Sequence, residues 1–220
     1  MRGVGRGMSI HQDDIVGVGG RLDSDTLIRA YRRGIFPWPV EGLPLLWFCP
    51  RERAILEFSR VHVPRSLARA RRRTTLRFTA DAAFDAVIRA CAATPRPGQD
   101  GTWITDEIES AYTRLHALGI AHSIEAWRGG DLVAGVYGVA VDGAFAAESM
   151  FHHEQNASKL ALLHLVDRLA GAGLDWMDIQ VMTPHLERLG AHVVPRGQFL
   201  NRLTRTRARR LILFPGRERS

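Results

Sequence analysis

The chain has 220 residues, 45% of them hydrophobic and 24% charged, a balance that excludes a disordered polymer and leaves room for one ordinary domain plus a small second one. Thirty basic residues against 23 acidic give a net charge of +7, and all but one of the basic residues are Arg, whose planar fork matches phosphate, so a polyanion such as nucleic acid is the favoured partner. No apolar run approaches the roughly 18 residues of a membrane span, Met1–Ser9 lacks the apolar stretch of a signal peptide, and Cys49 and Cys91 form no CxxC pair. No membrane partner is therefore expected, and a reducing cytoplasm is the default.

The first 20 residues are Gly-rich and predict frayed or extended structure. Ser24 is suited to cap a helix that runs to Arg33 and stops at Gly34. Prolines at 37, 39 and 44 forbid a helix in the aromatic stretch that follows, and Arg53–Phe58 reads as a short strand. The pattern changes near Glu57–Val63, which places a boundary between a small N-terminal α+β domain, residues 1–60, and a larger domain, residues 61–220. Pro64 opens a helix with Arg65, Arg69 and Arg72 on one face. Leu76–Phe78 reads as a strand. Thr79 and Thr105 read as caps of the next two helices, with the Pro- and Gly-rich stretch 94–102 as the loop between them.

A three-strand antiparallel meander is predicted over His122–Trp127, Leu132–Val141 and Ala144–Met150, with Asp142-Gly143 as a strong hairpin signal. A helix to about Leu169, a strand Leu174–Gln180, a short helix opened by Thr183-Pro184, a strand at Val193-Val194 and a final helix from Phe199 complete the chain. The fold class is α+β with a mixed sheet, and the element order resembles the GNAT-like (acyl-CoA N-acyltransferase-like) architecture.

Several residues have the chemistry for a site. In the strand ending at Gln180, a period of two puts Trp176, Asp178 and Gln180 on one face and Met177 and Ile179 on the other. Asp178 and Gln180 are poor strand formers in an apolar run. They either cap the following turn or present a polar pair to a cleft. Glu148 ends another apolar strand, as a rim charge or as the acceptor of a cationic group. Trp38, Trp47 and Trp103 suit core packing or base stacking. His152 and His153 are adjacent and point apart, and no HExxH occurs, so no metal is expected. The junction 151–159 has no glycine and carries Glu154, which would repel a CoA pyrophosphate, so no CoA cofactor is expected even with a GNAT-like fold.

The string Ala30-Tyr31-Arg32-Arg33-Gly34-Ile35-Phe36-Pro37-Trp38 is highly specific. Together with Leu46–Arg51, Gly101–Thr105, Glu148–Phe151, Ala157–Lys159, Asp178–Gln180 and Leu189–Ala191, it resembles the leucyl/phenylalanyl-tRNA–protein transferases over roughly residues 17–203 in colinear order. The resemblance implies transfer of Leu, Phe or Met from aminoacyl-tRNA to the α-amine of proteins starting with Arg or Lys, which marks them for degradation by the N-degron route. It also implies that Trp38 and Trp103 bracket the terminal adenine of the tRNA. Val136, Phe145, Met150, Leu165 and Met177 line the apolar pocket, Glu148 sits near the acceptor, and Asp178 with Gln180 forms the reaction centre. Leu165 stands where an aromatic residue can line the pocket, so the amino-acid preference shifts. Arg65, Arg69, Arg72 and Arg73 would hold the tRNA phosphates without reading bases.

An aminoacyl ester is already activated, so neither ATP nor a metal is demanded, and a monomer suffices. The α-amine, with a pKa near 7.7–8.0, must lose a proton. Gln180 would orient it and Asp178 would fix Gln180, leaving Asp178, water or the ribose 2′-OH to take the proton. A CoA-dependent N-acetyltransferase and a non-enzymatic RNA-binding protein are the rival readings. The second does not explain Asp178 and Gln180.

Overall fold

The computed structural model describes residues 12–95 and 102–215. The Arg-rich start at Met1–Ser9 and residues 96–101 of the expected loop lie outside them. Strand β1 (Ile15–Val18), helix α1 (Ser24–Arg32), β2 (Phe36–Trp38) and β3 (Leu46–Phe48) form a small unit around an antiparallel sheet in the order β1-β3-β2. Asp23, not Ser24, caps α1, because its carboxylate accepts from the Thr26 N–H at 2.8 Å.

Beyond it come β4 (Glu52–Glu57), α2 (Arg65–Arg73), β5 (Arg77–Ala80), α3 (Phe84–Ala93), α4 (Asp106–Ala117), β6 (Ala121–Arg128), β7 (Asp131–Val141), β8 (Ala144–His152), α5 (Ala157–Gly171), β9 (Trp176–Gln180), α6 (Pro184–Arg188), β10 (His192–Pro195) and α7 (Arg196–Ala208). Seven of these strands form one mixed sheet in the order β10-β4-β9-β8-β7-β6-β5. The expected meander is β6-β7-β8. Strand β4, which precedes residue 60, fills the slot between β10 and β9. The fold is α+β, a small N-terminal unit with a larger body built on a mixed sheet, the class and sheet type expected.

Thr79 does not cap α3. It lies in β5 and gives its hydroxyl proton to Glu125 at 2.6 Å, and the Glu125 carboxylate on β6 accepts from the N–H groups of Ala82 and Ala83 at the start of α3. A fully buried carboxylate from the neighbouring strand satisfies donors that a local cap would otherwise take.

Helix α5 covers one face of the sheet with an apolar cluster that includes Val136, Phe145, Leu165 and Met177. A second cluster, with Tyr31, Phe36, Phe48, Trp103 and Tyr112, joins the small unit to α3 and α4. Helix α7 seats Phe199 and Leu203 on Ile55 and Trp176. Gly34 lets this last contact close. Its φ is +70°, and a Cβ there would stand 2.6 Å from the Phe199 ring and 2.9 Å from Leu200. Gly34→Ala is expected to lower stability by about 2 kcal/mol, from left-handed strain and displacement of Phe199. Urea unfolding reads this as a lower midpoint at unchanged slope.

Candidate active site

The site grows from the one parallel junction in the sheet. Strands β8 and β9 share a single register pair, Ala146 opposite Asp178, and every other neighbouring pair is antiparallel. Two residues further along each strand stand Glu148 and Gln180, and their side chains bridge the two strands. Gln180 Nε2 donates to Glu148 Oε1 at 2.7 Å.

Local backbone features aim both groups. Tyr137 pairs with Ser149 and Gly138 with Ala147, so Glu148 is the extra residue of a β-bulge, a device that redirects a side chain. Gly138 permits the bulge, since a Cβ there would fall 2.3 Å from the Ala146 carbonyl oxygen. Gln180 ends β9 in the left-handed region at φ +62°, a conformation that costs about 1–3 kcal/mol for a residue with a side chain. Its N–H donates to Asp178 Oδ1 at 2.8 Å, which helps to hold that turn.

Asp178 is buried and engaged on both oxygens by Arg53 from β4. Arg53 Nε donates to Oδ1 at 2.8 Å and Nη2 to Oδ2 at 2.6 Å. Arg53 is only 1% exposed, its carbon Cζ lies 4.6 Å from the ring centres of both Phe36 and Phe199, and its Nη1 is buried without a hydrogen-bond partner. Such a fork needs a matching anion, and Asp178 supplies it.

Glu148 is half-buried and accepts a second hydrogen bond on Oε1 from the Tyr31 hydroxyl at 2.7 Å. The Tyr31 and Tyr112 oxygens are 2.5 Å apart. Tyr31 spends its only proton on Glu148, so Tyr112 donates to Tyr31. Burial raises the pKa of both phenols well above the ordinary value, and the nearby Glu148 charge adds to it. Burial also lifts the Glu148 carboxyl to about 7. The Tyr31 and Gln180 hydrogen bonds oppose that rise, as does Arg53, while the negative Asp178 reinforces it.

The structure thus joins three expected site residues, Glu148, Asp178 and Gln180, in one hydrogen-bonded chain. It gathers Val136, Phe145, Leu165 and Met177, all buried, with half-buried Met150 in a single cluster beneath α5, and Met177 lies next to Asp178 on β9. Trp38 and Trp103 meet face to face, with ring centres 5.5 Å apart and planes 17° from parallel. Arg65, Arg69, Arg72 and Arg73 are exposed on α2, and among the described residues no hydrogen bond joins them to the chain around Glu148. Also among the described residues, no group of three His, Cys, Asp or Glu side chains is placed to hold a metal ion, and no helix is long and apolar enough to cross a membrane.

Arg53, Tyr31 and Tyr112 did not stand out as functional in the sequence. The available signal was a pair of opposite charges, Arg53 and Asp178, each next to apolar residues in a strand, Arg53 before Ala54-Ile55-Leu56 and Asp178 between Met177 and Ile179. Two such charges are most cheaply buried against each other.

Comparison with known proteins identifies the family of the chain. Residues 20–51 match the family model for the leucyl/phenylalanyl-tRNA protein transferase N-terminal domain, and residues 55–204 match the model for leucyl/phenylalanyl-tRNA protein transferase. Relatives named leucyl/phenylalanyl-tRNA–protein transferase include one from Anaeromyxobacter dehalogenans, 51% identical over 193 residues that cover 88% of this chain and 83% of the relative. Another, from Nitratidesulfovibrio vulgaris, is 50% identical over 188 residues, 86% of this chain and 80% of the relative. Among solved structures, a GCN5-related N-acetyltransferase-like protein from Streptococcus suis aligns over 78% of this chain and 64% of its own, with TM-score 0.37 and 13% identity. The chain belongs to the leucyl/phenylalanyl-tRNA protein transferase family and is a transferase.

Proposed function

We propose that this enzyme transfers Leu, Phe or Met from aminoacyl-tRNA to the α-amine of proteins whose first residue is Arg or Lys, forming a peptide bond that creates an N-degron. It acts as a monomer in the cytoplasm. The observation that carries the reading is the Glu148–Gln180 bridge across the β8–β9 junction, on strands whose alternate residues, Met150 and Met177 among them, belong to the apolar cluster under α5. A polar pair at the junction of strands that also line an apolar cluster suits an ester whose acyl side chain is apolar and whose reacting carbonyl is polar.

In this reading Met150, the half-buried member of the cluster, marks the entrance for the donor side chain, with Val136, Phe145, Leu165 and Met177 deeper. Discrimination by a methylene or two is worth about 1–3 kcal/mol, so Leu and Phe are preferred over Val without absolute exclusion. The stacked Trp38 and Trp103 have to part for the terminal adenine to enter between them. The site's acidic wall at Glu148 favours an acceptor that arrives with positive charge. The reading is tested by supplying leucyl-tRNA, valyl-tRNA and acetyl-CoA separately with a peptide starting in Arg. A product heavier by one Leu, less product from valyl-tRNA and none from acetyl-CoA supports it. An acetylated product overturns it.

The exposed face of α2 is the proposed track for tRNA phosphates. Four phosphate contacts give a salt slope near 3, so raising salt from 50 to 200 mM is expected to weaken tRNA binding about 50-fold. Replacing Arg69 and Arg72 by Ala lowers that slope by about 1.5. Filter binding across the salt series measures both, and a flat response removes α2 from the interface.

A further inference from the structure

The reaction requires a nitrogen to lose a proton, and the buried chain from Arg53 to Tyr112 bears on which group takes it. Asp178 is poorly placed. Oδ1 already accepts from Arg53 Nε and from the Gln180 N–H, and Oδ2 accepts from Arg53 Nη2. A proton on Asp178 would break a buried charge pair and strand Arg53, which is 1% exposed. Gln180 is an amide and holds no extra proton. Glu148 differs on each count. It is half-buried, it touches no cation among the hydrogen bonds of the described residues, and both of its donors, Tyr31 and Gln180, sit on the same oxygen, Oε1.

Resting on the transferase reading above, we propose that Glu148 is the general base of the reaction, and that Arg53 is a positioning residue that assigns it this role by keeping Asp178 a fully engaged anion. The amine nitrogen forms its bond to the ester carbonyl carbon and passes one proton to Glu148 Oε2. The carbon–oxygen bond to the ribose then breaks, and Glu148 returns that proton to the departing ribose oxygen. The sum is amine plus ester to amide plus alcohol, and Glu148 ends as it began. Gln180 holds the carboxylate at the right distance through Nε2, and the Tyr112–Tyr31 pair steadies the charge when Glu148 is ionised.

The groups facing Glu148 are Tyr31 from α1, Tyr112 from α4, Asp178 and Gln180 from β9 and Arg53 from β4. Their combined influence, dominated by burial, leaves its carboxyl at about 7, between an ordinary carboxylic acid and the α-amine it serves. A group so matched exchanges a proton in both directions with little penalty.

The test uses the full chain, leucyl-tRNA and two acceptor peptides that start with Arg, one with its natural α-amine and one in which an aminooxy group replaces it. The aminooxy group is unprotonated at neutral pH, so its own ionisation drops out of the profile. With it, wild-type kcat/KM is expected to rise along a single limb centred near pH 7. Glu148→Gln, which keeps an oxygen for both donors, is expected to lower kcat about 100-fold or more with either acceptor and to leave the aminooxy profile flat. Asp178→Asn is expected to weaken turnover yet keep the limb, moved to lower pH because the charge that raises Glu148 is gone. A flat wild-type profile overturns the proposal, as does a limb that survives Glu148→Gln or vanishes in Asp178→Asn. Were Glu148→Gln to misfold, the wild-type and Asp178→Asn profiles still decide it. Wild-type enzyme that forms no product with either acceptor would overturn the transferase reading itself, whereas active Glu148→Gln enzyme overturns only the role of this residue.

Discussion

Replacing Arg53 by Ala is expected to cost about 3–5 kcal/mol of stability, because it leaves Asp178 as a buried carboxylate with no counter-charge. In a chain of this size that lowers the melting temperature by roughly 10 °C. The magnitude follows from the surroundings. Asp178 and Arg53 are both buried, their contact uses two short hydrogen bonds, and the guanidinium fills the gap between Phe36 and Phe199. Alanine removes the charge and the wedge together, so part of the loss is a cavity. A second variant separates the two. Arg53→Met with Asp178→Leu removes both charges while keeping bulk, and is expected to recover most of the stability with no recovery of activity. Calorimetry of the three proteins gives the answer. Equal destabilisation in the single and double variants would mean that packing alone, and not charge pairing, holds this part of the sheet.

Gln180→Ala is expected to reduce turnover at least 100-fold while leaving tRNA affinity unchanged. Its Nε2 is the only atom of β9 hydrogen-bonded to Glu148 among the described residues, and misplacement of a reacting group by about 1 Å is enough for a loss of that size. The fold should survive, since the backbone N–H that binds Asp178 remains, although Ala at φ +62° keeps the left-handed strain without the compensating side-chain bond. Single-turnover kinetics beside filter binding separates the two roles. Lost tRNA binding would make Gln180 part of the tRNA interface, and turnover within a few-fold of wild type would remove it from the reaction centre.

Much of this architecture is legible from local chemistry. The Asp142-Gly143 turn sets the β7–β8 hairpin with Asp142 at φ +51° and Gly143 at φ +85°. Thr105 accepts from the Ile108 N–H as a cap should. The period of two in β9 sends Met177 and Ile179 under α5 and Trp176 toward α7, where its indole donates to Thr206. Asp178 and Gln180 are conspicuous because polar groups in a central strand need partners. Identifying those partners was beyond local pattern. Arg53 and Asp178 are 125 residues apart and meet only because β4 lies beside β9. Tyr31 reads as one apolar side of α1, and its hydroxyl acquires meaning only when the β8 bulge turns Glu148 toward it. Thr79 fails as a cap for the same kind of reason, since the sheet brings Glu125 to a place no neighbour in sequence could supply. The Trp38–Trp103 stack is likewise tertiary.

In the proposed reaction the β8–β9 junction joins an aminoacyl ester to a protein α-amine. The decisive measurement incubates the enzyme with leucyl-tRNA and two peptides that differ only in their first residue, Arg or Ala, and reads the products by mass spectrometry. One added Leu at the N-terminus of the Arg peptide and little or none on the Ala peptide is the expected result. Equal addition to both, or addition to neither, would contradict it.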